Sequence, residues 1–297
     1  MKKRILIFLF ISLCSQSFSQ NIIDHKVDSI ISLMTLNEKI AQMYNNSFMT
    51  TPDNTRLNIP GFIMDDGPHG VRFQTATSFP GGITMAATWD TNLGFDIARA
   101  MAEEFHSFGK HQQLGPVMDL CRDPRNGRSA ESGGEDPYLI GVMGAYYVKG
   151  LQSTPVMATI KHYNANFREK NRYDNSYTLS YRQLMEHNGF NFRYPMQEGG
   201  AFSIMNAYNK INGQKCAEND TLLNLILRKH WGFPFYVVSD WGSIYAPQAD
   251  IKKAVLAGCN VEMGSDLYKN NIAQMITAGT LTEANINASV KTIIKTK

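Results

Sequence analysis

Short apolar runs typical of β-strands alternate along this chain with longer amphipathic stretches. This alternation predicts parallel β/α units, and the 297 residues suit a barrel of about 250 residues. The sequence therefore predicts an α/β fold, a (β/α)8 TIM-type barrel. Seven strands are recognised, so we expect an irregular or incomplete strand set: Gly61–Met64, Ile83–Ala87, Leu114–Leu120, Val156–Lys161, Ala201–Asn206, Phe235–Ser239 and Asn260–Met263.

The stretches between the strands carry signs of helix initiation. Asp90 is a favourable N-cap for a helix over Thr91–Phe108. Asp136 precedes a proline in the first turn of a second helix, Pro137–Lys149. The remaining predicted helices are Asp24–Tyr44, Leu179–Tyr194, Asn219–His230 and Thr282–Lys295.

Residues 1–20 have the pattern of a secretory signal peptide. A basic start at residues 2–4 is followed by an apolar run at 5–13 that is too short to span a membrane, and then by Ser17 and Ser19. We expect residues 21–297 to form one secreted or periplasmic barrel domain. Lipoprotein anchoring through Cys14 is the less favoured alternative, because the residue before it is a bulky leucine.

Net charge and cysteine spacing argue against a nucleic-acid-binding protein and against a zinc-binding protein. Loss of residues 1–20 removes three positive and no negative charges, so the formal charge of +3 becomes 3 − 3 = 0. With no basic surplus, we expect no nucleic-acid partner. Cys121, Cys216 and Cys259 are widely spaced and form no zinc-binding pattern, so they are predicted to be buried free thiols.

Two polar segments follow candidate strands in the first half of the chain. In DGPHGVR, Asp66 could accept hydrogen bonds from sugar hydroxyls and Arg72 could orient it; a surface turn with an ion pair is the alternative. In the long loop RDPRNGRSAESGGEDP, Arg128 could donate two hydrogen bonds from its guanidinium. Glu131 and Glu135 are interpreted as stabilising that loop.

Two further segments end later strands. Lys161 and His162 could donate to sugar hydroxyls together with Arg172, but neighbouring strand residues point to opposite faces. Both can reach one pocket only if the strand ends irregularly; a strand end meeting water is the alternative. Asp240 in FYVVSDWG stands where barrel enzymes place catalytic groups, and Trp241 could form an apolar wall. Asp240 could instead cap the next helix.

Taken together, these segments resemble glycoside hydrolase family 3, the β-glucosidase and β-xylosidase family, over about residues 25–297. The resemblance rests on DGPHGVR, GRSAESGGEDPYL, IKHYNANFREKNR, SIMNAYNKING and VVSDWG in this order. It implies that Asp240 is the nucleophile of a retaining exo-β-glycosidase. It also implies a set of residues that bind the substrate: Asp66, Arg72, Arg128, Lys161, His162, Arg172, Tyr208 and Trp241.

The resemblance further implies an oligosaccharide or β-glycoside substrate, no cofactor and no metal. In the family a second α/β domain usually supplies the acid/base glutamate, so a missing C-terminal domain or a partner chain is expected to supply it here. Glu135, Glu169 and Glu262 are candidates for the acid/base only in the sense that they are acids, and the resemblance assigns that role to none of them. A branch of N-acetylhexosaminidases uses an aspartate–histidine pair after the lysine–histidine segment, and residues 161–166 lack that pair.

Two rival functions remain open on the sequence. A non-catalytic sugar-binding barrel would keep the sugar contacts without turnover, although it would not need Asp240 as a nucleophile. A metal-dependent barrel hydrolase would need several His and carboxylate ligands at strand ends, where His162 is the one histidine recognised.

Overall fold

The computed structural model describes residues 22–244 and 250–297. The predicted signal peptide and Cys14 lie outside these residues and remain predictions. The α-helices are α1 over residues 22–33, α2 Leu36–Ala41, α3 Gly82–Ala86, α4 Thr91–Ser107, α5 Pro137–Leu151, α6 Phe190–Gln197, α7 Ile251–Ala257, α8 Leu267–Thr277 and α9 Glu283–Thr296. π-Helical turns span Gln183–His187 and Thr221–His230, and 3-10 turns span Thr55–Leu57, Ser129–Glu131 and Cys216–Glu218.

The strands are short and mostly parallel. They are β1 Met64–Asp65, β2 Gln112–Gln113, β3 Met157–Tyr163, β4 Ser176–Tyr177, β5 Ser203–Asn206, β6 Lys210–Ile211, β7 Gln214–Lys215 and β8 Tyr236–Val238. The main sheet has the order β1-β2-β3-β5-β8, and every pair in it is parallel. A small sheet of β4, β6 and β7 lies in the connections.

Single bridges extend the main sheet towards a ring. Val238 pairs in parallel with Val261, and Glu262 pairs in parallel with Tyr44. The chain after Tyr44 then pairs antiparallel with the residue before β1, through Thr50 and Ile63. The ladder thus leads from β8 back to β1, which is the barrel-type α/β arrangement that the sequence predicts, with irregular strands.

Several helix predictions are confirmed by their caps. The side chain of Asp90 accepts from the backbone N–H groups of the first turn of α4, and Asp136 does the same for α5. α9 begins after Thr282, which forms a capping box. These helices bury their apolar faces against the sheet and each other, and α4 packs along α5.

Other boundaries predicted from the sequence are wrong. The predicted strand Ile83–Ala87 is helical: its first four residues lie in α3 and Ala87 is the C-cap. A short apolar run suits either a buried strand or a helical turn, so the sequence did not distinguish them. The predicted helix Asp24–Tyr44 breaks where Thr35 caps α2. The run Leu114–Leu120 follows β2 and touches β3 through a Val117–Lys161 bridge. Leu179–Tyr194 divides into a π-helical turn and α6.

The described part of the chain has three free cysteines. Cys216 and Cys259 are buried as predicted, whereas the prediction of burial is wrong for Cys121, which is partly exposed. Among the residues placed by the structure, no helix combines the length and apolarity that a membrane span requires.

Arg228 ties the end of the π-helical segment Thr221–His230 to the residues that precede β8 and to the residue that precedes the Val261 bridge. Its guanidinium donates to the carbonyl oxygens of Phe233 and Phe235 and to Oδ1 of Asn260, at 3.0, 2.5 and 2.8 Å. Arg228→Met removes the guanidinium donors to the carbonyls of Phe233 and Phe235, whereas Oδ1 of Asn260 keeps the backbone N–H of Val237. Because two partly buried acceptors lose these hydrogen bonds, we expect a loss of about 2–3 kcal/mol in the free energy of unfolding. Urea denaturation measures it, with the exposed neighbour Lys229→Met as control. Equal stability of both variants would contradict this role.

Candidate active site

A cavity of about 710 Å³ opens at the carboxyl ends of the parallel strands. All nine residues that the sequence singled out line it: Asp66, Arg72, Arg128, Lys161, His162, Arg172, Tyr208, Asp240 and Trp241. They come from six separate segments of the chain, so the fold gathers side chains that are distant in sequence.

Asp240 follows β8 and lies in the wall of this cavity. Its side chain is 10% exposed, and its Oδ1 accepts from the backbone N–H of Trp241 at 2.8 Å. Its Oδ2 is buried and has no hydrogen-bond partner among the described residues. Burial raises the pKa of Asp240, while the positive charge of Lys161 works against this rise. Asp240 does not cap a helix in the described residues, because a turn follows it.

Asp66 follows β1 and forms ion pairs with two cations. Its Oδ1 lies 2.5 Å from Nζ of Lys161, and its Oδ2 lies 2.5 Å from Nη1 of Arg72. Lys161 is 3% exposed and Arg72 is 61% exposed, so the Lys161 contact is shielded from water. Burial acts to raise the pKa of Asp66, but Lys161, Arg72 and Arg128 together outweigh it, and the pKa is lowered overall.

Lys161 and His162 both face the cavity although they are adjacent in β3. The pairing of β3 with β5 shifts register between Ile160 and Tyr163, which brackets the two residues. Because β3 is irregular here, both side chains can reach one cavity, as the sequence analysis required. The alternative, in which Lys161 and His162 simply end a strand at the solvent, is wrong.

Two arginines are held in place by carboxylates beside the cavity. Arg128 donates two hydrogen bonds to Glu131, at 2.8 and 2.7 Å, and its Nη1 lies 3.1 Å from Nε2 of His162. Arg172 pairs with Glu169 at 2.7 Å, and its guanidinium carbon lies 3.8 Å from the ring centroid of Tyr208. The hydroxyl of Tyr208 donates to the carbonyl of Trp241 at 2.9 Å.

The model of the glycosyl hydrolase family 3 N-terminal domain matches residues 9–296. The chain belongs to glycosyl hydrolase family 3. It is 34% identical to β-glucosidase B of Emericella nidulans over 279 residues, which are 91% of this chain and 32% of that protein. It is 34% identical to thermostable β-glucosidase B of Acetivibrio thermocellus over 284 residues, covering 91% of this chain and 37% of that protein.

Solved family 3 structures have the same fold. β-Glucosidase 3B from Thermotoga neapolitana, solved in complex with glucose, matches with a TM-score of 0.85 and 32% identity, over 91% of this chain and 42% of that one. β-Glucosidase from Kluyveromyces marxianus matches with a TM-score of 0.87 and 30% identity, over 91% and 33% of the two chains. This chain therefore spans between about a third and two fifths of the length of these relatives.

Some residues of this family 3 site were missed by sequence reasoning. Glu131 was interpreted as a residue that stabilises the loop; it pairs with Arg128 and also lines the cavity. Phe48, Phe73 and Trp241 form an aromatic rim of the cavity. The ring centroid of Phe48 lies 6.1 Å from that of Phe73 and 6.2 Å from that of Trp241. Asp119 lies beneath His162, and its position at the end of an apolar run was the available clue.

The three unassigned acids do not line the cavity. Glu135 is exposed, Glu169 pairs with Arg172, and Glu262 is buried and accepts from the N-terminal N–H groups of α8. Among residues 22–244 and 250–297, no group of three or more His, Cys, Asp or Glu side chains is placed to hold a metal ion.

Proposed function

We propose that this chain is the catalytic barrel of a retaining exo-β-glucosidase that acts on terminal, non-reducing β-linked glucose. The observation that carries the proposal is the buried Oδ2 of Asp240, which has no hydrogen-bond partner in the described residues and lies in a cavity rich in cations. Glucose is favoured over xylose because the relatives are named β-glucosidases and one family 3 structure is solved in complex with glucose.

In this proposal Asp240 attacks the anomeric carbon and forms a covalent glucosyl-enzyme intermediate, which water then hydrolyses with net retention. Lys161 and Arg128 keep the buried carboxylate of Asp240 ionised, because positive charge favours its negative form. The hydroxyl of Tyr208 donates its hydrogen bond to the carbonyl oxygen of Trp241 rather than to Asp240.

The other residues of the cavity would bind the sugar. The carboxylate of Asp66 accepts from sugar hydroxyls, while Lys161, Arg128 and Arg172 donate to them. His162 offers one ring nitrogen, and Arg72 orients Asp66 from the cavity mouth. Trp241 stacks on an apolar sugar face. These side chains are numerous enough to bind every hydroxyl of a single sugar ring. We therefore infer that the cavity holds one terminal glycone and that the enzyme is exo-acting.

The acid that protonates the leaving group would come from a segment other than those described. Asp66 and Glu131 also line the cavity, but each is paired with a cation and has a lowered pKa, so each is a poor proton donor. We propose that a further domain or a partner chain supplies this acid. We also propose that residues 1–20 direct secretion to the periplasm or the exterior.

A series of leaving groups tests this function on the full chain. We expect turnover of 2,4-dinitrophenyl β-D-glucoside with retention at the anomeric carbon, because dinitrophenolate leaves without a proton. For methyl β-D-glucoside, whose leaving group needs an acid, we expect a rate at least about 10²-fold below that of a complete family 3 enzyme. Proton NMR of the first product reports the anomer.

The α-anomer of the same dinitrophenyl glucoside is the matched control and should not be turned over. Binding of glucose by calorimetry without any turnover of the β-anomer would contradict catalysis and favour the sugar-binding barrel. Faster turnover of the matching β-xyloside would contradict the choice of glucose.

A further inference from the structure

Asp119 is a buried carboxylate that reaches the cavity through His162. It is 7% exposed, and its Oδ2 lies 2.6 Å from Nδ1 of His162. The backbone N–H of His162 points to the same oxygen at 3.4 Å. Asp119 is not among the residues that line the cavity, so any effect it has on substrate passes through the imidazole.

The second ring nitrogen of His162 lies between two active-site groups. Its Nε2 is 3.1 Å from Nη1 of Arg128 and 3.7 Å from Oδ2 of Asp240. Burial and the charges of Arg128 and Lys161 lower the pKa of His162 well below its ordinary value, so the ring is neutral and carries one proton. Because a guanidinium only donates, the Arg128 contact requires a lone pair on Nε2 and the proton on Nδ1.

The protonation of Asp119 follows from the same contact. Burial raises the pKa of Asp119 to about 8, and the charge of Arg128 opposes the rise. A protonated Asp119 would donate to Nδ1 and leave the ring proton on Nε2, where it would face an N–H of Arg128. The described contacts therefore select an ionised Asp119 that accepts from Nδ1–H.

The position of the ring proton matters for Asp240. An N–H at Nε2 would find Oδ2 of Asp240 as its nearest carboxylate acceptor. Closing this 3.7 Å gap to hydrogen-bond distance would tie Oδ2 to the imidazole, and that bond would have to break before Oδ2 could attack. We propose that Asp119 is a positioning residue that holds the ring proton of His162 on Nδ1, so that Nε2 offers a lone pair to a sugar hydroxyl and Oδ2 of Asp240 stays free. The consequence for attack rests on the proposed function.

Two variants separate this role from a merely structural one. Asp119→Leu keeps the number and branching of the heavy side-chain atoms but has no acceptor, so the proton should move to Nε2. Asp119→Asn can present an amide oxygen to Nδ1 and to the backbone N–H of His162, so it should keep the proton on Nδ1. Nitrogen NMR of the full chain with labelled histidine reads the tautomer directly, and His162→Gln assigns its signal among the seven histidines.

The rate of covalent capture by 2,4-dinitrophenyl 2-deoxy-2-fluoro-β-D-glucoside is the second readout. This reagent forms the glucosyl-enzyme without acid help, and its fluorine slows hydrolysis of the adduct. We expect Asp119→Leu to slow capture about 10- to 100-fold and Asp119→Asn to stay within about fivefold of the parent chain.

A parent spectrum with the proton on Nε2 overturns the inference, even if Asp119→Leu fails to fold. So does unchanged capture by Asp119→Leu, or equal slowing by both variants. Failure of the parent chain to react at all counts against the proposed function and against a free Oδ2, whereas the spectrum still judges the tautomer by itself.

Discussion

Asp240→Asn should reduce covalent capture of the fluoroglucoside by about 10⁴-fold or more, because the amide cannot form the glucosyl ester. The fold should survive this change. Burial raises the pKa of Asp240, so the contribution of this group to the stability of the fold falls as pH rises from the ordinary carboxyl pKa through the raised one. A neutral amide avoids that cost, and we expect the Tm at neutral pH to stay equal or rise.

Intact mass against time measures the loss, and Asp266→Asn is the matched control. Asp266 is an exposed carboxylate at the start of α8, and its substitution should leave capture unchanged. In Asp240→Gly, added azide should restore reaction with 2,4-dinitrophenyl β-D-glucoside and give the α-glucosyl azide, since it enters from the side of the lost carboxylate. Capture by Asp240→Asn at the parental rate would show that another residue is the nucleophile.

Lys161→Met should slow capture by about 10²- to 10³-fold, with the largest deficit at low pH. Lys161 is the strongest charge that opposes the rise in the pKa of Asp240 caused by burial. Because the ionised carboxylate attacks, capture falls as pH falls through that pKa. Without Lys161 the pKa rises further, and we expect the acid limb of the capture rate to move to higher pH.

The matched comparison is Arg72→Met, which removes the other cation that contacts Asp66. Arg72 is 61% exposed, so its ion pair is screened by water and its loss should slow capture by less than about tenfold. Profiles from about pH 4 to about pH 9 cover the range in which a raised carboxyl pKa is expected. Equal effects of both substitutions, or an unmoved acid limb in Lys161→Met, would contradict the role given to Lys161.

The fold was predictable where local chemistry and periodicity agree. Asp90 and Asp136 cap the helices they were expected to cap, and the strand before Asp240 was recognised from its apolar run. The run Ile83–Ala87 was misread because five apolar-rich residues can suit a buried strand or one helical turn. In the structure Met85 and Ala86 face the core from a helix, a choice made by tertiary packing.

The site was predictable as a set of residues but not as a network. The family resemblance named nine residues that line one cavity, although it gave no contacts between them. The pairing of Lys161 with Asp66 across 95 positions, and of Asp119 with His162 across 43, depends on which strand ends meet. The aromatic rim at Phe48 lies in a segment without any motif, so only the folded chain places it beside Trp241.

Covalent capture followed by peptide mapping tests the central claim most directly. The full chain is incubated with 2,4-dinitrophenyl 2-deoxy-2-fluoro-β-D-glucoside, its intact mass is measured, and the labelled peptide is sequenced by mass spectrometry. The account predicts one fluoroglucosyl group per chain, attached to Asp240. A label on any other residue, or an unlabelled chain that still binds glucose, would contradict it.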